Sequence, residues 1–138
     1  MAISHATDAT IDSMIGSGIT LVDFWASWCG PCRMFGPIFE SVSDQTSDAT
    51  FVKFEIDEAN RRTPAKYGIR SIPAILAFKD GELIEARTGL MDEETLMAWI
   101  QELKSLRQRI SLIKPLSNTT LMAISSLYIL QSAATPLL

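Results

Sequence analysis

The segment that decides the fold is Leu21-Val22-Asp23-Phe24-Trp25-Ala26-Ser27-Trp28-Cys29-Gly30-Pro31-Cys32. It begins within residues 19–26, a nearly continuous apolar run of β-branched and aromatic residues that predicts a strand buried on both faces. From Cys32 to about Thr46, apolar side chains recur at helical spacing. They are Met34, Phe35, Ile38, Phe39 and Val42. The two cysteines are therefore expected where a buried strand ends and a helix begins.

The segments on either side of this unit predict one more helix and one more strand. A short helix capped by Thr7 or Asp8 is expected to end near Ile15. Apolar and polar side chains alternate over residues 51–57, which predicts a second strand. Strand, helix and strand in this order form a β-α-β unit, which requires parallel strands and a right-handed crossover.

The second half of the chain predicts a short helix and a hairpin. Residues 61–67 form the helix, which Gly68 closes. The dipeptide Asp80-Gly81 separates two apolar runs, residues 74–78 and 83–87, and this pattern indicates a β-hairpin.

A last helix is expected to begin at Asp92, with Glu93 and Glu94 near its positive end. Its apolar stripe consists of Leu96, Trp99, Ile100, Leu103, Ile110 and Ile113. The predicted fold class is α/β, with a mixed central β-sheet (parallel strands plus an antiparallel hairpin) and helices on both faces.

Length and composition fit one domain with a C-terminal extension. The chain has 138 residues and a net charge of −4, and without a basic stripe no nucleic-acid partner is expected. Neither a basic start nor an apolar run precedes Asp8, so we expect no secretory signal and a cytoplasmic location. Two cysteines cannot form a disulfide framework, and a close pair in a reducing compartment indicates metal or redox chemistry.

The predicted position of the two cysteines favours redox chemistry. A thiol at a helix N-terminus faces unpaired backbone N–H groups and the positive end of the helix dipole. Both stabilise the thiolate, which is the nucleophile, so the pKa of such a thiol falls. We expect Cys29, at an exposed lip, to attack first. Cys32, one turn into the helix, should be more buried and should resolve the mixed disulfide.

Three other interpretations of the cysteine pair stay open at this point. A structural zinc site needs four ligands, whereas the chain offers two cysteines and His5, which is remote in sequence. A structural disulfide across so short a loop contributes only about 2 kcal/mol, and a reducing compartment would open an ordinary one. Two inert core cysteines would not need Gly30 and Pro31 between them.

Four stretches of the chain together resemble the thioredoxin family. They are residues 21–32 quoted above, Lys53-Phe54-Glu55-Ile56-Asp57, Lys66-Tyr67-Gly68-Ile69-Arg70-Ser71-Ile72-Pro73 and Phe78-Lys79-Asp80-Gly81. They occur in the family's order, and the resemblance covers about residues 3–108. It implies the thioredoxin fold for a domain of residues 1–108, followed by a helix extension and an uncharged apolar tail over residues 109–138.

The resemblance also implies roles for residues around the cysteines. Asp23 interrupts an apolar strand, where burial raises the pKa of a carboxyl. In the family, the matching aspartate lies behind the second cysteine as proton acceptor or donor, and Lys53 is the expected ionic neighbour. Pro73 is expected to follow a cis peptide bond and to lie against the cysteines. The backbone of Ile72 would then be free to pair with an extended substrate segment.

A docking surface for protein substrates follows from the same resemblance. Its residues are Trp28, Gly30, Pro31, Ile56, Ile72, Pro73, Gly89 and Leu90. The chain departs from the family at Ala74, where threonine is common, and over residues 58–63, which are somewhat longer than usual. Either departure could alter the choice of partner, and neither touches the dithiol chemistry.

The activity that the resemblance implies is the reduction of protein disulfides through Cys29 and Cys32. Electrons would come from NADPH through a flavin-containing thioredoxin reductase, with no cofactor or metal bound to this chain. One alternative is a disulfide oxidase or isomerase, which the fold alone does not separate from a reductase. Another is a redox-independent binding module that uses the same apolar surface.

The C-terminal tail carries no charge from Pro115 to Leu138. Its most apolar part, residues 121–130, is about half of the roughly 20 residues that a membrane-spanning helix needs. We therefore expect packing on the domain, self-association or disorder of the tail rather than a membrane anchor. The protein is expected to be a monomer, with association through the tail as the alternative.

Overall fold

The computed structural model describes residues 3–112, with side-chain environments for residues 3–106. The strands are β1 Ser4–Ala6, β2 Ile19–Trp25, β3 Ala49–Glu55, β4 Ala74–Lys79 and β5 Glu82–Thr88. The helices are α1 Ile11–Met14, α2 Gly30–Gln45, α3 Arg62–Lys66 and α4 Glu93–Leu112. The predicted uncharged tail, residues 115–138, lies outside the described residues.

The strands form one mixed sheet in the order β1-β3-β2-β4-β5. Strands β1 and β2 both run parallel to β3, whereas β4 is antiparallel to β2 and β5 is antiparallel to β4. This topology confirms the predicted β-α-β unit with its added hairpin. It also places β2, the strand that leads to the cysteines, at the centre of the sheet.

Helices cover both faces of the sheet, as predicted. Alternate residues of β2 point to opposite faces because the side-chain period of a strand is two. Ile19 and Leu21 pack with α2 and α4 through a core that also contains Phe35, Phe39, Phe51, Ile75, Leu96, Trp99, Ile100 and Leu103. On the other face, Val22 and Phe24 pack with α1 and the end of α3 through Ile11, Ile15, Phe54, Leu76, Phe78 and Tyr67.

The edge strand β1 was absent from the sequence-based prediction. It has three residues, two of them exposed, and therefore shows no apolar pattern. Its backbone pairs with β3 from Ser4 opposite Val52 to Ala6 opposite Phe54. The strand therefore depends on a partner some fifty positions away in the chain rather than on its own side chains.

The predicted N-terminal cap is wrong, because Asp8 caps a different helix. Helix α1 begins after Thr10 without a side-chain capping bond. The carboxylate of Asp8 instead accepts hydrogen bonds from the backbone N–H groups of Arg62 (3.0 Å) and Thr63 (2.8 Å) at the start of α3. The contact joins the segment after β1 to the helix that follows β3.

The hairpin turn and the start of the last helix follow the prediction. Asp80 and Gly81 have positive φ angles of 49° and 88°, the combination that a two-residue type I′ turn requires. At the start of α4, the Asp92 carboxylate accepts a hydrogen bond of 2.7 Å from the Thr95 backbone N–H. Both features arise from residues no more than three positions apart in sequence.

We predict that Asp8→Ala destabilises the protein by about 1 kcal/mol, the usual cost of losing a helix cap. Burial tends to raise the pKa of Asp8, but hydrogen bonds from Thr63 and Arg62 outweigh it and hold the pKa below 3.8. The stabilisation is therefore present at neutral pH and is lost as the pH falls through the folded-state pKa. Urea unfolding at pH 7 and at acid pH measures both effects.

The matched variant for this experiment is Asp8→Asn, which keeps one acceptor oxygen where the aspartate uses two. Its stability should lie between those of the wild type and Asp8→Ala. Equal stability of all three proteins at neutral pH would contradict the capping role.

Candidate active site

The two cysteines lie at the junction of β2 and α2. Cys29 is the N-cap residue of α2, with extended backbone angles (φ −90°, ψ 110°), and its N–H donates to the Ala26 carbonyl across 3.1 Å. Pro31 occupies the first turn, where the missing N–H of proline costs no helical hydrogen bond. The strand, the short loop and the proline-started helix thus fix the position of Cys29.

A disulfide joins Cys29 and Cys32, whose Cα atoms are 5.3 Å apart. The backbone N–H of Cys32 donates a hydrogen bond of 3.2 Å to the sulfur of Cys29. This N–H is one of the first-turn donors that an α-helix leaves unpaired. The reactive pair therefore sits where the helix presents both a donor and its positive end.

We expected Cys29 to lie at an exposed lip, but its exposure is much lower than that expectation. Cys29 is 5% exposed and Cys32 is 2% exposed, so both residues are nearly covered. Ala26, Trp25 and Ile72 pack around them in a small apolar cluster. The two residues differ in position rather than in exposure, because the first caps the helix and the second lies within it.

The Ile72–Pro73 peptide bond is cis, as the resemblance implied. The carbonyl oxygen of Ile72 lies 3.9 Å from the sulfur of Cys29. The buried Pro73 accepts a hydrogen bond of 2.9 Å from the backbone N–H of Gly89. These contacts gather three separate loops around the disulfide.

The residues of the expected docking surface range from exposed to buried. Trp28 is 76% exposed, and Pro31, Gly89 and Leu90 are also exposed. Gly30, Ile56 and Ile72 are half-buried, and Pro73 is buried. Exposed apolar side chains beside a buried disulfide form a surface suited to an apolar partner.

An open cavity of about 640 Å³ lies on one side of Trp28. Ile56 lines it together with Glu58 and Arg61, which belong to the segment noted above as longer than usual. This segment therefore forms part of a groove next to Trp28.

Met34 is an exposed apolar residue of α2 that the sequence analysis did not place at the site. It shares the helical spacing of Phe35 and Ile38, but Met34 is 63% exposed, whereas Phe35 is fully buried. Met34 follows Pro31 by three positions and so lies on the same face of α2. This i, i+3 relation to Pro31 is the sequence signal that could have placed Met34 on the same face of α2 as the active-site proline.

Asp23 lies on the sheet face that α2 covers and is completely buried. Among the described residues, neither of its carboxylate oxygens has a hydrogen-bond partner. Burial raises the pKa of Asp23 to about 7, and the positive charge of Lys53 only partly offsets this rise. A buried carboxyl that exchanges its proton near neutral pH is suited to general acid–base chemistry.

Lys53 pairs directly with Asp23 in the β2–β3 register, as expected for its neighbour. Its ammonium group nevertheless makes its ion pair with Glu40, at 3.9 Å, and lies 5.2 Å from the centre of the Trp25 ring. Lys53 therefore acts on Asp23 through its charge rather than through a direct ion pair. Sequence reasoning missed Glu40, because its link to Lys53 depends on how α2 crosses the sheet.

The described residues hold no group of three or more histidine, cysteine or acidic side chains that could bind a metal ion. Within the same residues, no helix combines the length and the apolar character needed to span a bilayer.

A disulfide at a helix N-terminus, with a buried titratable carboxyl on the strand that leads to it, is typical of a thiol–disulfide oxidoreductase. The thioredoxin family model matches residues 2–102. The thioredoxin of Staphylococcus epidermidis is 46% identical over 97 residues, covering 70% of this chain and 92% of the relative. The thioredoxin of Staphylococcus aureus is 45% identical over the same length.

Solved structures agree with the sequence relatives. A mutant thioredoxin from Halobacterium salinarum NRC-1 superposes with a TM-score of 0.67 at 33% identity, covering 72% of this chain and 88% of its own. A thioredoxin from Malassezia sympodialis gives a TM-score of 0.66 at 33% identity, covering 73% and 90%.

The chain belongs to the thioredoxin family. It is a protein-disulfide reductase of the thioredoxin type, and Cys29 and Cys32 form its redox-active disulfide. Members of this family act on protein disulfides and need no prosthetic group.

We predict that Asp23→Asn makes the oxidised protein more stable relative to the wild type as the pH rises from about 4 to 7. The unfolded chain ionises Asp23 near 3.8, whereas the folded protein keeps it neutral up to about 7. The wild type therefore loses stability across this window, by about 4 kcal/mol at most, and the difference stays level at higher pH.

Denaturant unfolding at closely spaced pH values measures this difference. Asp12→Asn, which changes an exposed aspartate of α1, is the control and should show no such pH dependence. A constant difference between Asp23→Asn and the wild type from pH 4 to 8 would refute the raised pKa of Asp23.

Proposed function

We propose that Cys29 is the attacking nucleophile and that Cys32 resolves the mixed disulfide. The observation that carries this assignment is the hydrogen bond from the Cys32 backbone N–H to the sulfur of Cys29. The same donor would stabilise negative charge on Cys29 in the reduced enzyme. Cys32 lies inside the helix and caps nothing, so its sulfur lacks this support.

The reaction is proposed to proceed by two thiol–disulfide exchanges. The Cys29 thiolate attacks one sulfur of a substrate disulfide, so that the substrate bond breaks and its other sulfur leaves as a thiolate. The Cys32 thiolate then attacks the sulfur of Cys29 and displaces the second substrate thiolate. Two electrons pass to the substrate, which leaves as a dithiol. The enzyme is left oxidised, with a disulfide between Cys29 and Cys32.

Asp23 is proposed to accept the proton of Cys32 during the second exchange. Lys53 is proposed to adjust the pKa of Asp23 through its charge. The burial of Asp23 on the α2 side of the sheet and its pKa of about 7 support the role, because a base with this pKa is half ionised at neutral pH. Cys32 is also buried and belongs to the helix that covers this face.

Substrate recognition is proposed to combine backbone pairing with apolar contact. The backbone of Ile72 would pair with an extended substrate segment, since its carbonyl lies close to the sulfur of Cys29. The apolar surface around this backbone segment would consist of Trp28, Gly30, Pro31, Ile56, Pro73, Gly89 and Leu90. Backbone pairing does not depend on substrate sequence and suits an enzyme with many protein substrates.

The reduced state is proposed to be restored by a thioredoxin reductase that uses NADPH, and the protein to work as a monomer in the cytoplasm. The thioredoxin relatives support a shared electron donor.

We also propose that the thioredoxin domain covers residues 1–108 and that residues 109–138 form a separate extension. The family match ends at residue 102, and the first compact unit of the chain ends at Lys104.

The order of attack predicts different outcomes for two single substitutions. Cys29→Ser should abolish reduction of a protein disulfide, because the nucleophile is lost. Cys32→Ser should accumulate a mixed disulfide between Cys29 and the substrate, because the resolving thiol is lost. Mass spectrometry and non-reducing electrophoresis detect the trapped species, and trapping by Cys29→Ser instead would reverse the assignment.

The proton-transfer role predicts that Asp23→Asn slows the resolving step at least tenfold near neutral pH, because general base catalysis contributes about 10²- to 10⁴-fold. Stopped-flow tryptophan fluorescence during disulfide exchange measures the rate. The slowing should diminish at high pH, where Cys32 ionises without help. Identical rates for Asp23→Asn and the wild type between pH 6 and 9 would remove the role.

A further inference from the structure

Three polar side chains form a row across neighbouring strands beneath α2. Asp23 of β2 lies opposite Lys53 of β3 in the strand register, and Lys53 in turn lies opposite His5 of β1. Strand residues two positions away, such as Leu21 and Phe51, pack in the α2-side core. The row therefore faces α2, because residues two apart in a strand share a face.

Exposure increases along this row. Asp23 is fully buried, the Lys53 side chain is 14% exposed, and His5 at the sheet edge is exposed. A lysine stem is long enough to carry its ammonium group toward either end of such a row. The position of the ammonium group therefore decides how strongly the buried carboxyl feels its charge.

Helix α2 determines where the ammonium group lies. Cys32, Gly36 and Glu40 follow one another at four-residue intervals and so occupy one face of the helix. A Cβ atom at Gly36 would lie 3.2 Å from the nitrogen of Lys53, so the glycine leaves the space that this nitrogen occupies. One turn further, Glu40 holds the same nitrogen at 3.9 Å from its carboxylate oxygen.

We propose that Glu40 is a positioning residue for Asp23: it draws the Lys53 ammonium group into the space beside Gly36, so that Asp23 has a nearby cation without a direct ion pair. The inference rests on the proposed proton-transfer role of Asp23. The unpartnered oxygens of Asp23 and the ion pair between Lys53 and Glu40 are its geometric basis.

Other charged groups on this side of the sheet come from several elements. Asp44 of α2 and His5 of β1 line a cavity of about 290 Å³ together with Glu40. Glu55 lies two positions after Lys53 on β3 and is exposed. On α4, Glu93 accepts hydrogen bonds from Ser41 and Gln45 of α2. Each of these groups also contributes to the electrostatic potential at Asp23. The test must therefore isolate the effect of Glu40 that acts through Lys53.

The test is an NMR titration of the Asp23 side-chain carboxyl in a double-mutant cycle. Glu40→Gln keeps the size of the side chain and removes its charge, which frees the ammonium group to approach Asp23. The Asp23 midpoint should then fall by about half a pH unit or more, because an approaching cation favours the carboxylate. The pH profile of the resolving step should move in the same direction.

The second arm introduces Glu40→Gln into Lys53→Met. There the shift should be nearly absent, because Glu40 acts on Asp23 through Lys53. Asp12→Asn, which removes a negative charge from α1 on the opposite face of the sheet, is the control and should leave the midpoint unchanged.

An unchanged midpoint in Glu40→Gln would overturn the proposal. An equal shift with and without Lys53 would also overturn it, because it would show direct repulsion between the two carboxylates. Either result would leave exchange by Cys29 and Cys32 intact, and the titration needs no turnover. Failure of this proposal is therefore distinguishable from failure of the proposed function.

Discussion

The hydrogen bond from the Cys32 backbone N–H to the sulfur of Cys29 ties the chemistry of this protein to its architecture. It exists because a helix begins at Gly30, immediately after a strand at the centre of the sheet. The first N–H groups of a helix have no partner within the helix, and a sulfur placed there receives one. The rest of the site, including the cis peptide bond at Pro73, is arranged around that sulfur.

The buried carboxyl of Asp23 is the second constraint, and it works against stability. Its two oxygens are unpartnered among the described residues, in a face otherwise filled by residues such as Leu21 and Phe35. An apolar residue in this place would suit the core better. Natural proteins break the rules of core composition mainly at functional sites, and Asp23 fits that pattern. The positive charge of Lys53 partly offsets the cost of burying this carboxyl.

The disulfide is buried, whereas several apolar side chains near it are accessible. The two cysteines and Pro73 are buried, whereas Trp28 and Met34 are largely exposed. A partner can therefore contact exposed apolar side chains close to the buried disulfide. Such an arrangement is suited to transient docking of many proteins, since apolar contact is not directional.

The amino-acid sequence by itself determined the elements whose signals are local. Residues 19–26 predicted the central strand, Asp80 and Gly81 predicted the hairpin turn, and the position of the two cysteines at the start of a helix predicted the redox pair. Such features depend on the periodicity of a strand or a helix and on backbone angles open to particular residues, so a few neighbouring positions suffice.

Only the tertiary structure decided which distant groups meet. In the tertiary structure β1 pairs with β3, and the Asp8 carboxylate caps α3. Met34 is exposed, and Lys53 forms its ion pair with Glu40. Each outcome depends on strand register or on the angle at which a helix crosses the sheet. Helical spacing says which side chains share a face of α2, but the packing of α2 on the sheet decides which face is buried.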